Sequence, residues 1–266
     1  MKQTEPDQMM RWARRQLADY DARNPGTLFG NGIVLDIPTA YKLQALVGQL
    51  RRDRDESQVG YKVGCTSPNI RSQLGIDHSI YGRLFGTEQR ASGNNLSREQ
   101  FANLAIEGEL AVELAREPSE EDFQQDRLPA CVKRVFPVIE LHNHVIRSSE
   151  STAAELIANN AIHAGFCAGK GCSRTEIVND IGWEDFALTI FIDNQPLETC
   201  GGPELIETIR VSLKWLSDEL TAAGQGLSRG HIVLTGSIPP LIPITKDCVV
   251  RVDAVQLGCV EAKFLH

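Results

Sequence analysis

The chain has 266 residues, 42% hydrophobic and 23% charged, the proportions of a soluble globular protein with one large or two modest domains. Its formal charge of −8, from 27 Lys and Arg against 35 Asp and Glu, argues against a nucleic-acid or anionic-membrane partner but not against a small anionic ligand. Seven Cys with no CxxC pair, an N-terminus without an apolar signal core and no bilayer-length apolar run suit a reduced, cytoplasmic protein with no membrane role.

In chain order, Met, Trp, Leu and Tyr recur at roughly helical spacing from Pro6 to Asn24, and Asn24-Pro25-Gly26 signals a turn. Thr39 to Leu50 repeats the helical pattern, with Asp36 or Thr39 as its cap. The character changes at Gly60, which divides a helical N-terminal part (1–59) from the rest (60–266). Gly60 to Ser67 reads as a short strand, Pro68 to Leu74 as helical turns stopped by Gly75, and Tyr81 to Gly86 as a loop or strand. Residues 105–115 and 135–146 give two strands, and Thr152 to Ala168 reads as a helix capped by Ser151 or Thr152. Trp183 to Gln195 predicts a strand entering a hairpin, Pro203 to Ala223 an amphipathic helix, and residues 232–236, 249–255 and 258–264 three further strands. Grouped strands favour an α+β plan over a doubly wound sheet.

The chemistry concentrates on the two apolar strands. Residues i and i+2 share a face of a strand, so Glu107 and Glu109 project side by side, and Glu113 has the same parity. Glu140 sits in similar apolar company with His142 and His144 at its own parity. Carboxylates set in apolar strands require protonation, a basic partner or a metal, and an oxygen-rich set suits Mg²⁺ or Mn²⁺. Wet strand faces paired with Lys or Arg satisfy the same pattern. Lys62, between Gly60 and Gly64, is either a partly buried cation near an anionic substrate or an edge lysine that reaches water. His163 falls on the helix expected over 152–168, and His78 and His231 lie in turn-like stretches. Thr235-Gly236-Ser237 ends an apolar strand at a tight turn where N–H and hydroxyl groups can meet an oxyanion. No phosphate loop or nucleophile elbow is present.

Taken in order, Tyr61-Lys62-Val63-Gly64-Cys65-Thr66-Ser67, Gln73-Leu74-Gly75-Ile76, Tyr81-Gly82-Arg83-Leu84, Glu107-Gly108-Glu109, Pro137-Val138-Ile139-Glu140, Ile157-Ala158-Asn159-Asn160 and Ile232 to Ser237 with Gly258 to Phe264 resemble the fumarylacetoacetate-hydrolase-related superfamily. The resemblance is to its hydratase/decarboxylase branch, the 2-hydroxypenta-2,4-dienoate hydratases and 4-oxalocrotonate decarboxylases. It implies a mixed, curved β-roll with flanking helices and a helical N-terminal part. It also implies a metal-dependent lyase of a small 2-hydroxydienoate or 2-oxoenoate in the catabolism of aromatic-derived compounds. Mg²⁺ or Mn²⁺ would be held by Glu107, Glu109 and Glu140, with Lys62 as acid/base or orienting group. His142 and His163 are candidate proton carriers, and Arg83, Thr235 and Ser237 candidate substrate contacts, with Arg71 as another candidate for a distal carboxylate. A homo-oligomer is expected, or a hetero-complex with a paralogous pathway enzyme.

Two positions depart from the branch pattern: Ile80 and Asn159 stand where its hydratases carry Asp. Both remove candidate proton carriers, and Ile80 resembles the decarboxylase version of that loop. A decarboxylase, a C–C hydrolase or tautomerase of acylpyruvate-like compounds, and a non-catalytic partner subunit are the competing readings.

Overall fold

The structure, a computed structural model, describes residues 5–125, 127–150, 152–181 and 186–266. Its helices are α1 (Glu5–Asp21), α2 (Thr27–Gly30), α3 (Ile37–Arg52), α4 (Pro68–Leu74), α5 (Thr152–Ala158), the single turn α6 (Arg174–Glu176) and α7 (Gly202–Ala222). At the start of α3, Asp36 accepts the Thr39 N–H at 2.8 Å and Pro38 lies in the first turn, the N-terminal chemistry its sequence predicts. Ala13 of α1, Leu28 and Phe29 of α2, and Ala40 and Leu43 of α3 form one core with Ala153, Ala154 and Ile157 of α5. Ile76 and Ile80 join the same core, so the helices are seated against the strand that follows.

The strands are β1 (Gln58–Gly64), β2 (Ile80–Phe85), β3 (Gln89–Ala91), β4 (Asn94–Ser97), β5 (Leu104–Leu114), β6 (Val132–Asn143), β7 (His163–Ala168), β8 (Cys172–Ser173), β9 (Ala187–Ile192), β10 (Gln195–Gly201), β11 (Ile232–Leu234), β12 (Ile242–Pro243), β13 (Cys248–Ala254) and β14 (Gly258–Leu265). They make two sheets. The larger runs β2-β1-β11-β5-β6-β7-β3, with β12 beside β5 and β8 beside β6; the smaller runs β10-β9-β13-β14-β4. Parallel pairs (β1 with β11, β3 with β7) mix with antiparallel ones (β5 with β6), and the large sheet curls into a half-barrel. This is the α+β roll that the resemblance implies. On α7, Leu205, Ile209, Leu213, Leu216 and Leu220 recur at helical spacing, are buried and join the main core with Leu110 and Val112 of β5.

Gly108 shows how the sheets meet. An added Cβ there would lie 2.7 Å from Ile190 Cγ1 and 2.8 Å from Val252 Cγ2, both on the smaller sheet. The side of β5 opposite its two acids is therefore packed backbone-close. Gly108→Ala is expected to cost about 1–3 kcal/mol of stability by overpacking, measured by urea unfolding.

One element differs in kind from expectation. The helix predicted over 152–168 ends at Ala158, and its second half is β7. Asn160, Ala161 and Ile162 take φ of 57°, 52° and 55°, a left-handed run that no α-helix accommodates. The segment after it pairs with β6 and β3, and a short, continuously buried apolar run fits a buried helix or a buried strand equally. Short or polar strands (β3, β4, β8, β12) carried no clear pattern, and β10 was expected only as the return of a hairpin. Ser151, offered as a cap, and Trp183 to Asp185, offered as the start of a strand, lie outside the described residues.

Candidate active site

The antiparallel register of β5 and β6 sets Glu107 directly opposite Glu140. Lys62 arrives from β1, two strands away through the short β11, and its Nζ lies 3.3 Å from Glu140 Oε1. The same oxygen meets His163 Nδ1 at 2.7 Å. His142 Nε2 stands 3.2 Å from Glu107 Oε2 and 3.6 Å from Glu140 Oε2. Glu109, two residues along from Glu107, accepts the Gly236 N–H. Lys62, Glu109, Glu140, His142 and His163 are all buried, and Glu107 is half-buried at the edge of the group.

The charges sort themselves by contact. Burial acts to lower the Lys62 ammonium, but Glu140, Glu107 and Glu109 outweigh it and hold the group above its ordinary value. Burial likewise pushes Glu140 up, yet Lys62, His142 and His163 pull it below the usual carboxylate range. Glu109 has no such neighbour in contact. Burial, then Glu140 and Glu107 beside it, push its carboxyl well above the ordinary value. Two like charges this close separate in affinity for a proton, and here Glu140 is the one kept ionised.

Glu107, Glu140 and His142 each offer one ligand atom within 4.8 Å of the others, a candidate metal site. Glu109 Oε1, Glu140 Oε2 and both ring nitrogens of His142 are buried without a hydrogen-bond partner. Each such orphan costs roughly 1–3 kcal/mol unless something meets it. An oxygen-rich set with one imidazole fits a hard divalent cation of the Mg²⁺ or Mn²⁺ kind.

This group borders a cavity of about 520 Å³. Lys62, Glu107 and His142 line it, with His144, Ser237 and Cys65, and its remaining wall is largely apolar. Cys65 holds a left-handed φ of 56° at the turn after β1, and burial pushes its thiol up to about 11, which disfavours the thiolate at neutral pH.

Other predicted residues fall elsewhere. Arg83 is not on the cavity wall: its guanidinium bonds Gln225 at 3.1 Å and lies over the Tyr61 ring. Arg71 donates to the Cys65 and Thr66 carbonyls, outside the same cavity. The Thr235 hydroxyl is spent on the Leu110 carbonyl at 2.8 Å, and the Gly236 N–H on Glu109, so that turn serves the acids. Ser237 does line the cavity, its hydroxyl donating to Pro239 O at 2.8 Å. Glu113 is paired with Lys133 and Arg134 at the far end of β5. His163 stands behind Glu140, outside the cavity, and so bears on Glu140 and not on a ligand.

Sequence reasoning missed what lies behind His163. Its Nε2 is 3.9 Å from Glu88 Oε2, while Glu88 Oε1 takes Arg51 Nη1 at 2.7 Å and the Tyr20 hydroxyl. A buried chain thus ties Glu140 to α1 and α3. Nothing local marks Glu88, which lies in a short 3₁₀ turn after β2.

The architecture is a half-barrel roll whose adjoining strands present buried acids, with a lysine and a histidine at their side, as a candidate metal site. Residues 84–265 match the fumarylacetoacetate (FAA) hydrolase C-terminal family, and the chain belongs to that family. Across 86% of both chains it is 28% identical to a 2-keto-4-pentenoate hydratase of Burkholderia vietnamiensis. A 4-oxalocrotonate decarboxylase of Pseudomonas sp is 23% identical over 82% of this chain and 83% of its own. Among solved structures, the 4-oxalocrotonate decarboxylase of Pseudomonas putida G7, complexed with magnesium and adipate, superposes over all of both chains with a TM-score of 0.83 at 19% identity. The fumarylpyruvate hydrolase of Pseudomonas aeruginosa, in complex with Mn²⁺ and pyruvate, does so over 77% of this chain and 88% of its own with a TM-score of 0.58 at 14% identity.

Proposed function

We propose that this chain is a divalent-metal-dependent lyase of small 2-oxo or 2-hydroxydienoic acids, of the 2-keto-4-pentenoate hydratase type, working in the cytoplasm on aromatic-derived compounds. The observation that carries this is the cluster of Lys62, Glu109 and Glu140, all buried, with half-buried Glu107, of which Lys62 and Glu107 line a ligand-sized cavity. Glu107 and Glu140, whose ligand atoms converge with that of His142, would hold Mg²⁺ or Mn²⁺, with Glu109 as the third carboxylate of the set. When bound, the metal supplies Lewis acidity for the negative charge that develops on a 2-enolate oxygen. Lys62, kept charged by the acids, orients the substrate carboxylate or exchanges a proton with the dienol. His142 faces the cavity and is the residue placed to move a proton there; His163 fixes Glu140 from behind. The chain works as a homo-oligomer in this reading.

A decarboxylase of the 4-oxalocrotonate type is the second reading, favoured by one residue. Ile80 is on the cavity wall, and an acid there would be a proton donor for hydration. The test uses metal-stripped protein with 2-hydroxypenta-2,4-dienoate and with 2-oxohex-3-enedioate, each with and without Mg²⁺ or Mn²⁺. Metal-dependent hydration of the first without CO₂ supports the hydratase. CO₂ from the second moves the assignment to the decarboxylase. No turnover of either by metal-loaded protein refutes both in favour of a hydrolase or tautomerase.

A further inference from the structure

Of the residues that line the cavity, only Lys62 and Glu107 carry a full charge, with His142 and His144 as its imidazoles. Its uncharged wall sets Leu74, Ile80, Leu156, Ile162, Pro240 and Leu241 beside a smaller number of hydroxyl and amide side chains (Thr66, Ser67, Asn69, Gln73, Thr152), and Lys62 is the only Lys or Arg among the described residues that line it. The arginines nearest in sequence to its walls are engaged elsewhere, Arg71 on main-chain carbonyls, Arg147 on Pro25 O and Asn24, and Arg83 on Gln225. Lys62 itself is committed to Glu140. Ile70, Ile146 and Ile238, which also line the cavity, are each at least 36% exposed, apolar area that a matching ligand would cover. A cavity of about 520 Å³ is also far roomier than a five-carbon dienoate requires, given that one water occupies roughly 30 Å³ of liquid.

From this we infer that the substrate is a monocarboxylate whose distal end is an uncharged, apolar substituent extending past the five-carbon dienoate core. The inference rests on the reading of the site as one for 2-oxo or 2-hydroxydienoic acids. An acid group at the distal end would meet hydroxyl and amide groups such as Thr66, Asn69, Gln73 and Thr152 but no Lys or Arg to neutralise it, and burying a charge without a counter-charge is disfavoured. An alkyl or aryl end would cover the apolar part of the wall and the three exposed isoleucines.

Binding of unreactive saturated 2-oxo acids to the Mn²⁺-loaded full chain separates this inference from the reaction itself. Isothermal titration would compare 2-oxobutanoate, 2-oxohexanoate, 2-oxooctanoate and the diacid 2-oxohexanedioate. The expected result is a Kd that falls roughly fourfold per added methylene along the monoacids. The diacid is expected to bind at least tenfold more weakly than 2-oxohexanoate. Ile146→Arg, at a partly exposed position that tolerates a long side chain, is expected to narrow or reverse that preference. A diacid that binds wild type as tightly as the monoacid of equal length overturns the inference and leaves the parent reading standing. Failure of every 2-oxo acid to bind metal-loaded protein overturns the parent reading, and this inference with it. Faster turnover of 2-oxohex-3-enedioate than of an alkyl-substituted dienoate also overturns the inference, in favour of the decarboxylase.

Discussion

Lys62→Met is expected to lower kcat by two to four orders of magnitude and to cost the metal-free protein about 3–5 kcal/mol at neutral pH. Methionine matches the lysine stem in length, so the change removes the charge and little packing. What remains is Glu140 with no cation but the histidines, and Glu107 and Glu109 with less to offset their repulsion. Removing one partner of a buried pair leaves the other uncompensated, which is why the cost exceeds the net worth of the pair. Added Mg²⁺ or Mn²⁺ is expected to return most of the lost stability, because the same acids then face a dication. Thermal unfolding of wild type and variant, each with and without metal, reads this directly. An equal melting temperature for the two metal-free proteins would show that Lys62 is not the counter-charge of the cluster, and full activity would remove it from the chemistry.

The acids on one strand were legible because alternation is a local property: Glu107 and Glu109 share a face by parity alone. That Glu140 stands opposite Glu107 required the register of β5 and β6, which no spacing in the sequence encodes. Lys62 could be suspected from its apolar neighbours, but its 3.3 Å approach to Glu140 depends on β11, a three-residue strand that closes the gap between β1 and β5. The errors have the same origin. Parity left Glu113 open as a ligand, although it lies beside Lys133 and Arg134 instead. His163 was placed on a helix because a buried strand and a buried helix carry the same apolar run, and only the left-handed turn at Asn160 to Ile162 decides between them. Arg83 suggested a ligand contact from its charge; its buried side chain lies over Tyr61 and bonds Gln225 instead. Glu88, Arg51 and Tyr20 come from three separate elements, and their meeting is purely tertiary.

Glu109→Gln is expected to do the opposite of Lys62→Met in the metal-free protein: to stabilise it at neutral pH while weakening metal binding. Glu109 takes up a proton more readily in the folded state than its ordinary value of 4.5 would give, because it is buried beside Glu140 and Glu107. The folded protein therefore holds that proton more tightly than the unfolded chain does. Its contribution to stability is complete below pH 4.5 and is lost as pH rises from there through the raised folded value, at up to about 1.4 kcal/mol per pH unit. Glu140 acts in the reverse sense, contributing above 4.5 and losing its contribution as pH falls through its depressed value. Glutamine is the isostere of protonated Glu109: its oxygen can still accept the Gly236 N–H, and its amide can donate towards Glu140. The variant should thus lack the loss of stability that the metal-free wild type shows as pH rises above 4.5. An uncharged amide is a poorer partner for a dication than a carboxylate, so Mn²⁺ affinity is expected to fall by on the order of tenfold or more. Urea unfolding of both metal-free proteins from pH 5 to 8, followed by Mn²⁺ titration, measures the two effects separately. Parallel pH profiles would mean that Glu109 is ionised in the metal-free fold, and unchanged Mn²⁺ affinity would take it out of the ligand set and leave Glu107, Glu140 and His142 as the metal's protein ligands.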